Sequence, residues 1–487
     1  DRMGMDLENA GLAGTDQIEQ ECARLVDAVL SGTRESLGPQ GDSPVLEWIE
    51  TSLLGALEAT TDELDSILRA LDGRFIAPGP SGAPTRGMAH VLPTGRNFYS
   101  LDPRAVPSQL SWEVGKVLAD RLVDKYRAEE GRPPVSVGLV VWGTSTMRTA
   151  GDDIAQALAL LGVEPIWDPD NGRVMGIRVV PVQTLGRPRV GVTLRISGFF
   201  RDAFAHLIGL FNKAVAMVGE LDETEEMNPI AAECRSAGGQ GVDARVFGPK
   251  PGAYGSGILG VIESGDWEDD EDLAEVYLGW GGYSYTGDGA GRADPDAIRR
   301  RFAMIEVATK NQDNREHDIF DSDDYFQDHG GMIAAIRAIT GSSPKAYFGD
   351  SSNPARPLVR DLKDEAARVV RTRVINPKWI EAMRTHGYKG AFELAATVDY
   401  IFGYDATAEI VEDWMYEKVT ECYVADPLMR EFFRRSNPHA LTSIAERLLE
   451  ARRRGMWNAS DEAIASLEKA LLEAEGWGEM ASGEPRA

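Results

Sequence analysis

The hydrophobic and polar positions of this chain follow two rhythms. Between residues 16 and 76, "DQIEQECARLVDAVL" and "TDELDSILRAL" place apolar residues three and four apart, which predicts helices. "APGPSGAPTRG" (77–87) interrupts that pattern and reads as a Pro/Gly linker. After a helix at about 112–130, "VSVGLVVWG" (135–143) has the apolar run and β-branched content of a buried strand. A helix over 147–162, then "VEPIWD", "GIRVVPV" (176–182) and "VGVTLRI" (190–196), lead to an amphipathic helix at about 199–219. Strands alternating with helices predict a parallel α/β unit. Residues 240–300 are rich in Gly and Trp, helices return at 296–312, 332–340 and 360–373, and 377–475 reads as helical throughout. The expected fold class is thus α/β and α-rich multidomain: a parallel α/β unit followed by a largely helical C-terminal region. The expected segments are a helical leader and linker (1–87), the α/β unit (88–230), a Gly/Trp-rich mixed region (231–345), the helical C-terminal region (346–475) and a disordered tail (476–487).

Composition narrows the function classes. With 43% hydrophobic residues and ten Trp in 487 residues, the chain has ample material for packed cores. A net charge of −27 disfavours nucleic acid as a partner. Cys22, Cys234 and Cys422 are widely separated and form no CxxC, so free thiols in a reducing compartment are expected. No apolar stretch approaches the roughly 20 residues of a membrane span, and no signal-peptide pattern is present, so a cytoplasmic location is expected. The first residues, "DRMGMDLENAGL", fall within a helical pattern and lack an initiating methionine, as expected of a fragment of something larger.

Few motifs survive inspection. There is no G-x-x-x-x-G-K-[ST], HExxH or GxSxG. "GSGILG" (Gly255, Gly257, Gly260) fits G-x-G-x-x-G but follows a loop, so it reads as a turn that lets backbone approach a neighbour. "VVWGTSTMRT" is better placed, at the carboxyl end of a predicted strand where open α/β sheets bind ligands. There Ser145 or Thr146 would cap a helix and Arg148 would reach an anion. "LRISGFFRD" (194–202) repeats the arrangement with Arg195 and Arg201, and two Arg-bearing strand ends suit a substrate with several carboxylates. "NQDNREHDIFDSDDYFQ" (311–327) holds six carboxylates and one of the chain's six histidines. The preceding helix is expected to bury Ile298, Phe302 and Ile305. If it continued, Asp313, His317, Asp321 and Asp324 would share one face, either as a solvated acidic surface or as a cation site. "HGYKGAFE" (386–393) sets His386, Lys389 and Glu393 at helical spacing, as a second site or as a helix entry with surface charges.

Taken together, "LPTGRNFYSLDP", "LGRPRVGVTLRISGFFRDAF", "FGPKPGAYGSG", "NQDNREHDIFDSDDYFQ", "NPKWIEAMRTHGYKGAFELAATVDY" and "DWMYEKVTE" resemble the C-terminal part of the large polypeptide of aerobic cobaltochelatase, kin to the porphyrin-binding polypeptide of magnesium chelatase. The resemblance runs over about residues 88–455. It implies an ATP-dependent metal chelatase, a ligase forming nitrogen–metal bonds, whose large subunit binds a tetrapyrrole and the metal. An AAA+ ATPase subunit and a subunit with a metal-adhesion-type domain are the implied partners, with ATP-Mg on them and not on this chain. For the cobalt branch the implied substrates are cobalt(II) and hydrogenobyrinic acid a,c-diamide, on the route to cobalamin. Ser145-Thr146, where the magnesium branch carries Asp-Asn, and an intact Glu316-His317, whose imidazole suits cobalt, point to that branch. Asp328 stands where the family pattern leads one to expect an aromatic residue. The alternatives are the porphyrin-binding polypeptide of a magnesium chelatase acting on protoporphyrin IX, and a tetrapyrrole-binding scaffold fragment without turnover.

The chemistry itself suggests residue roles. The metal must shed water, two ring N–H protons must leave, and the ring must be held. Glu316 and His317 are assigned to metal delivery or proton acceptance, Asp321 and Asp324 to secondary metal ligation, and His386 and Glu393 to a second catalytic pair. Arg96, Asn97, Arg148, Arg195 and Arg201 are expected at the substrate periphery, with Tyr99 and Tyr254 near the ring.

Overall fold

A computed structural model describes residues 12–82, 84, 88–99, 101–236, 244–286 and 290–483. The chain divides into two compact units, residues 1–101 and 102–487.

In the first unit the predicted helices form at Leu12–Leu30 and Asp62–Leu71. The second has strong amphipathic spacing but buries none of its residues, and Leu64, Leu68 and Leu71 are largely exposed. The Pro/Gly stretch contributes a short strand, β1 (Pro78–Pro80), paired in parallel with β2 (Asn97–Tyr99). Residues 83 and 85–87 of that stretch lie outside the described residues.

The second unit is built on β3 (Ser136–Val141), the hairpin β4 (Val163–Trp167) and β5 (Val174–Val179), then β6 (Gly191–Ile196), β7 (Val246–Gly248), β8 (Tyr283–Tyr285), β9 (Gly291–Ala293), β10 (Val307–Gln312), β11 (Lys345–Asp350) and β12 (Leu358–Asp361). Eight of these form one sheet in the order β12-β11-β10-β3-β6-β7-β8-β9. Its centre, β11 to β7, is parallel, and antiparallel β12 and β8 flank it. The expected parallel α/β core is present, and it is wider than expected. Strands from residues 136 to 361 share the sheet, so it crosses the expected boundaries at 230 and 345. The predicted strand at 176–182 instead pairs with β4 in a separate two-stranded hairpin.

β3 and β6 are buried along their whole length, which explains why they read as continuous apolar runs rather than alternating ones. The cross-strand register sets Phe348, Lys310, Val140, Arg195 and Phe247 side by side in one rung. All five are at most 1% exposed, so two cations lie in the sheet interior.

Two predicted helices are broken. The one over 147–162 becomes Gly143–Thr149 and Asp152–Leu161, because Ala150 and Gly151 take positive φ of 57° and 106°. The one over 296–312 ends at Phe302, and residues 307–312 become β10. Ile298, Phe302 and Ile305 are buried as expected. Pairing with strands on both sides overrides the helical spacing of 307–312. The helical C-terminal region packs through Gly387–Ala408, Pro427–Ser436, Pro438–Arg453 and Asp461–Gly483. The last of these runs into the expected tail, of which residues 484–487 lie outside the described residues.

Where the sheet meets these helices, His329 is fully buried, with Nδ1 2.8 Å from the Tyr404 hydroxyl and Nε2 3.2 Å from the Ala308 carbonyl. Burial pushes its pKa down to about 4. The unfolded chain takes up this proton below its ordinary value near 6.5, whereas the folded chain does so only near 4. The contribution is therefore complete above pH 6.5 and is lost as pH falls toward 4. Relative to His329→Gln, the native chain should lose about 3 kcal/mol of stability between about pH 7 and 4. Urea denaturation at several pH values checks this, and parallel pH profiles for the two proteins would refute it.

Candidate functional site

The carboxyl ends of β3, β6 and β10 open onto a cavity of about 560 Å³, the place where sheets of this kind bind ligands. Its walls come from the turns after those three strands and from Tyr254-Gly255. The turns after β3 and β6 begin with Gly143 and Gly198, and space dictates both. A Cβ on Gly143 would sit 2.7 Å from the Phe200 amide nitrogen, and one on Gly198 would sit 2.7 Å from the Tyr254 ring and 2.8 Å from the Ala253 carbonyl. Ser197 Oγ accepts from the amides of Phe200 and Gly143, at 3.1 and 3.2 Å, and stitches the two turns together.

The acidic stretch forms the third wall, as a strand and loop rather than as a helix. The preceding helix does not continue, so the shared face that its continuation would have given Asp313, His317, Asp321 and Asp324 does not form. Ion pairs and buried side chains set the loop instead. Asp313, buried at the end of β10, takes a bidentate pair from Arg148 at 2.6 and 2.8 Å. Asn314 Oδ1 accepts from the amides of Glu316 and His317, turning the chain outward. Ile319 and Phe320 are fully buried, and Arg373 clamps Asp318 at 2.6 and 2.8 Å and reaches Asp321 at 3.2 Å. Ser322 then caps the short helical segment that runs from Asp323 to Gly330.

Six predicted residues line the cavity: Arg148, Arg195, Tyr254, His317, Asp321 and Asp324. His317 is exposed, and Glu316, also exposed, is not part of the lining. Among the described residues, no three His, Cys, Asp or Glu side chains converge as a ready-made metal cage. Asp321 is tied to the loop, with Oδ2 accepting from the Asp318 amide at 2.9 Å. Burial and the neighbouring Asp318 raise its pKa. Asp324 is exposed by area, yet the protein around its carboxyl, followed by repulsion from Asp328 and Asp323, pushes its pKa up to about 6.

The arginines divide into different roles. Arg195 is 1% exposed; its NH1 donates to the Ile196 carbonyl, while Nε and NH2 have no hydrogen-bond partner. Its guanidinium lies 5.0 Å from the Tyr277 ring centroid, and Asp328 is 3.9 Å away. Arg148 is committed to Asp313 and is not a free anion anchor. Arg201 does not line the cavity. It donates to the carbonyls of Pro249, Lys250 and Ala253 and pairs with Asp202, so it fixes the loop that carries Tyr254. Ser145 and Thr146 are not caps: both lie inside the helix and donate to the Trp142 carbonyl, and Ser145 also donates to buried Asp153.

The remaining candidates lie elsewhere. Arg96 and Asn97 belong to the first unit, where they line a separate cavity of about 830 Å³ with Ile67, Ile76 and Val91. Tyr99 ends β2 in that unit, and its side chain lies outside the described residues. His386 is an exposed helix cap, and Glu393 pairs with Lys389 at 2.5 Å, which matches a helix entry with surface charges. Neither lines the cavity at the strand ends.

A family model for CobN/magnesium chelatase matches residues 5–464. The chain belongs to the CobN/magnesium chelatase family. Within it, similarity is graded. The chain is 49% identical over 458 residues to the aerobic cobaltochelatase subunit CobN of Pseudomonas aeruginosa, covering 89% of this chain and 37% of that protein. It is 34% identical over 425 residues to the chloroplastic magnesium-chelatase subunit ChlH of Oryza sativa, covering 85% of this chain and 30% of that protein. Its fold matches the solved catalytic subunit of cobaltochelatase from Mycobacterium tuberculosis with a TM-score of 0.94 and 51% identity, over 97% of this chain and 42% of that one. The chain thus spans well under half the length of these relatives. Among the described residues, no helix is long and apolar enough to cross a membrane.

Sequence reasoning missed Trp142, Thr144, Phe199, Asn314 and Tyr325 as cavity residues, and it met Asp328 only as a departure from pattern. The four-residue spacing of Asp324 and Asp328 was a usable signal once a helical turn there is granted. The Arg148–Asp313 pair gives a direct test of how the site is braced. Arg148→Ala strands a buried carboxylate and should cost about 2 kcal/mol, below the range for fully buried pairs because Arg148 is a third exposed. Arg148→Met combined with Asp313→Asn should cost less than Arg148→Ala alone. Chemical denaturation of the three proteins decides it.

Proposed function

We propose that this chain is the substrate-handling part of a cobaltochelatase large subunit, which inserts cobalt(II) into hydrogenobyrinic acid a,c-diamide. The observation that carries the proposal is the cavity at the strand ends. One side offers nitrogen and oxygen donors, from His317, Asp324 and Asp328. The lining also includes aromatic surface, from Phe199 and Tyr254, and the buried Arg195. Imidazole with carboxylates suits cobalt better than magnesium. The higher identity to the cobalt-branch relatives supports the same choice.

In this reading the ring enters with its nitrogens toward the donor wall. His317 and Asp324 replace some of the cobalt's water without caging the ion, so that it can move on to the ring. Two N–H protons leave as two nitrogen–cobalt bonds form, one to Asp324 once the cobalt has passed to the ring and the other to solvent water, so charge is conserved. With its raised pKa, Asp324 accepts a proton near neutral pH more readily than an ordinary carboxylate does. Arg195 is a buried cation in the cavity lining, with Nε and NH2 enclosed by protein, so it favours a peripheral carboxylate through its charge. Energy coupling is assigned to an AAA+ ATPase subunit and a subunit with a metal-adhesion-type domain, since the sequence carries no phosphate-binding loop.

Absorbance titration of the chain with hydrogenobyrinic acid a,c-diamide and with protoporphyrin IX, with and without cobalt(II), tests the assignment. The corrinoid should bind more tightly than the porphyrin, and Arg195→Ala should weaken it about tenfold. Preference for the porphyrin would move the chain to the magnesium branch. In the full-length subunit with its ATPase partners, His317→Ala combined with Asp324→Asn should slow insertion about a hundredfold and leave ring binding within about a factor of three. Unchanged insertion would remove both residues from the chemistry.

A further inference from the structure

One flat side chain of the cavity is fixed more firmly than its place at the end of a strand requires. Trp142 directly follows β3 and still has extended backbone, with φ −101° and ψ 142°. Its Nε1 donates to Asp328 Oδ2 at 2.7 Å. Tyr325 meets it edge-on, with centroids 4.9 Å apart and planes at 62°. Lys310 Nζ sits 4.2 Å from the indole centroid. Lys310 is fully buried and absent from the cavity lining, whereas Trp142 is part of that lining. The Lys310 ammonium also donates to the Asn311 carbonyl, and among the described residues no carboxylate is within ion-pair distance of it.

Burial works against the charged form of Lys310, nearby Asp153 and Asp313 favour it, and its Nζ is directed at one aromatic ring. A cation on one face of an indole draws π density toward itself and leaves the other face less negative. Such a face stacks better on an electron-rich conjugated ring. The three contacts restrict the indole, so it has less rotameric freedom to lose when a ligand arrives. Asp328, which fixes the indole edge, stands one helical turn after Asp324, so a ring lying on Trp142 has its edge beside the proposed metal donors.

From this geometry we propose that Trp142, backed by Lys310 and held at its edge by Asp328, is the stacking platform for the conjugated part of the macrocycle. The inference rests on the reading of the cavity as a tetrapyrrole site and adds the surface that orients the ring. Lys310 acts through the indole and is a positioning residue.

The test uses the full-length subunit and absorbance titration with hydrogenobyrinic acid a,c-diamide. Thermal unfolding of each variant serves as the fold control, and cobalt(II) affinity is measured separately without the ring. Trp142→Leu removes the face and should weaken ring binding about tenfold, the scale of one stacked aromatic contact. Trp142→Phe keeps a face and should stay within about threefold. Lys310→Met, similar in volume and apolar, should weaken ring binding about threefold. In Trp142→Leu and Lys310→Met the loss of ring affinity should exceed any change in cobalt(II) affinity measured without the ring. If Trp142→Leu does not fold, Trp142→His, with its smaller ring, replaces it with an expected loss of at least about threefold. Native-level ring affinity in Trp142→Leu, or in Trp142→His where the leucine variant fails, overturns the platform and leaves the cavity reading intact. Failure of the unaltered subunit to bind the ring overturns the cavity reading itself.

Discussion

Two cations buried in one rung of a parallel sheet constrain everything around the cavity. Lys310 and Arg195 flank Val140, one strand apart on either side, where neither can reach bulk water. Burial disfavours the charged form of Lys310 and lowers its pKa, and nearby Asp153 and Asp313 pull it back up. Each cation is met by an aromatic ring, Lys310 by Trp142 and Arg195 by Tyr277. Asp328 lies between the two systems, hydrogen-bonded to Trp142 and 3.9 Å from Arg195. Much of the acidic loop after β10 can be understood as an answer to this buried charge. Its negative residues are partly structural, and the ones left facing the cavity are those available for chemistry.

That division is visible residue by residue. Asp313 and Asp318 are consumed by Arg148 and Arg373, and these pairs attach the loop to the helix after β3 and to the helical C-terminal region. Asp324 and His317 are not consumed in this way and line the cavity. A loop anchored at both ends presents a few donors at fixed positions more reliably than a free acidic surface, whose like charges would spread apart.

The buried strands were legible in the sequence because a strand covered on both faces reads as a continuous apolar run, as β3 and β6 do. Their sheet partner β10 was not, because "VATKNQ" carries Lys310, Asn311 and Gln312, residues that rarely mark a buried strand. Lys310 and Asn311 fit there only because Trp142, Asp153 and Gln156 wait on neighbouring elements to receive them. No local pattern announces that. The same limit applied to the arginines. Sequence grouped Arg148, Arg195 and Arg201 near two strand ends, but only the fold separates a helix side chain braced by a carboxylate, a buried strand side chain whose Nε and NH2 lack partners, and one that holds a loop outside the cavity lining. Arg96, Asn97 and Tyr99 were grouped with them on motif and chemistry alone, and they fall in a different compact unit.

Gly143 and Gly198 have a consequence for how this pocket can vary. The spacing of the two strand-end turns is set by backbone against backbone and ring, with no side chain to exchange for a larger or smaller one. Conservative drift at these positions is therefore closed, since even alanine would collide with the Phe200 amide or the Ala253 carbonyl. Ligand preference in this scaffold has to be tuned from the rim, at positions such as Thr144, Phe199 and Ser322. A redesign of the pocket for a different macrocycle would begin at those three and leave the floor as it is.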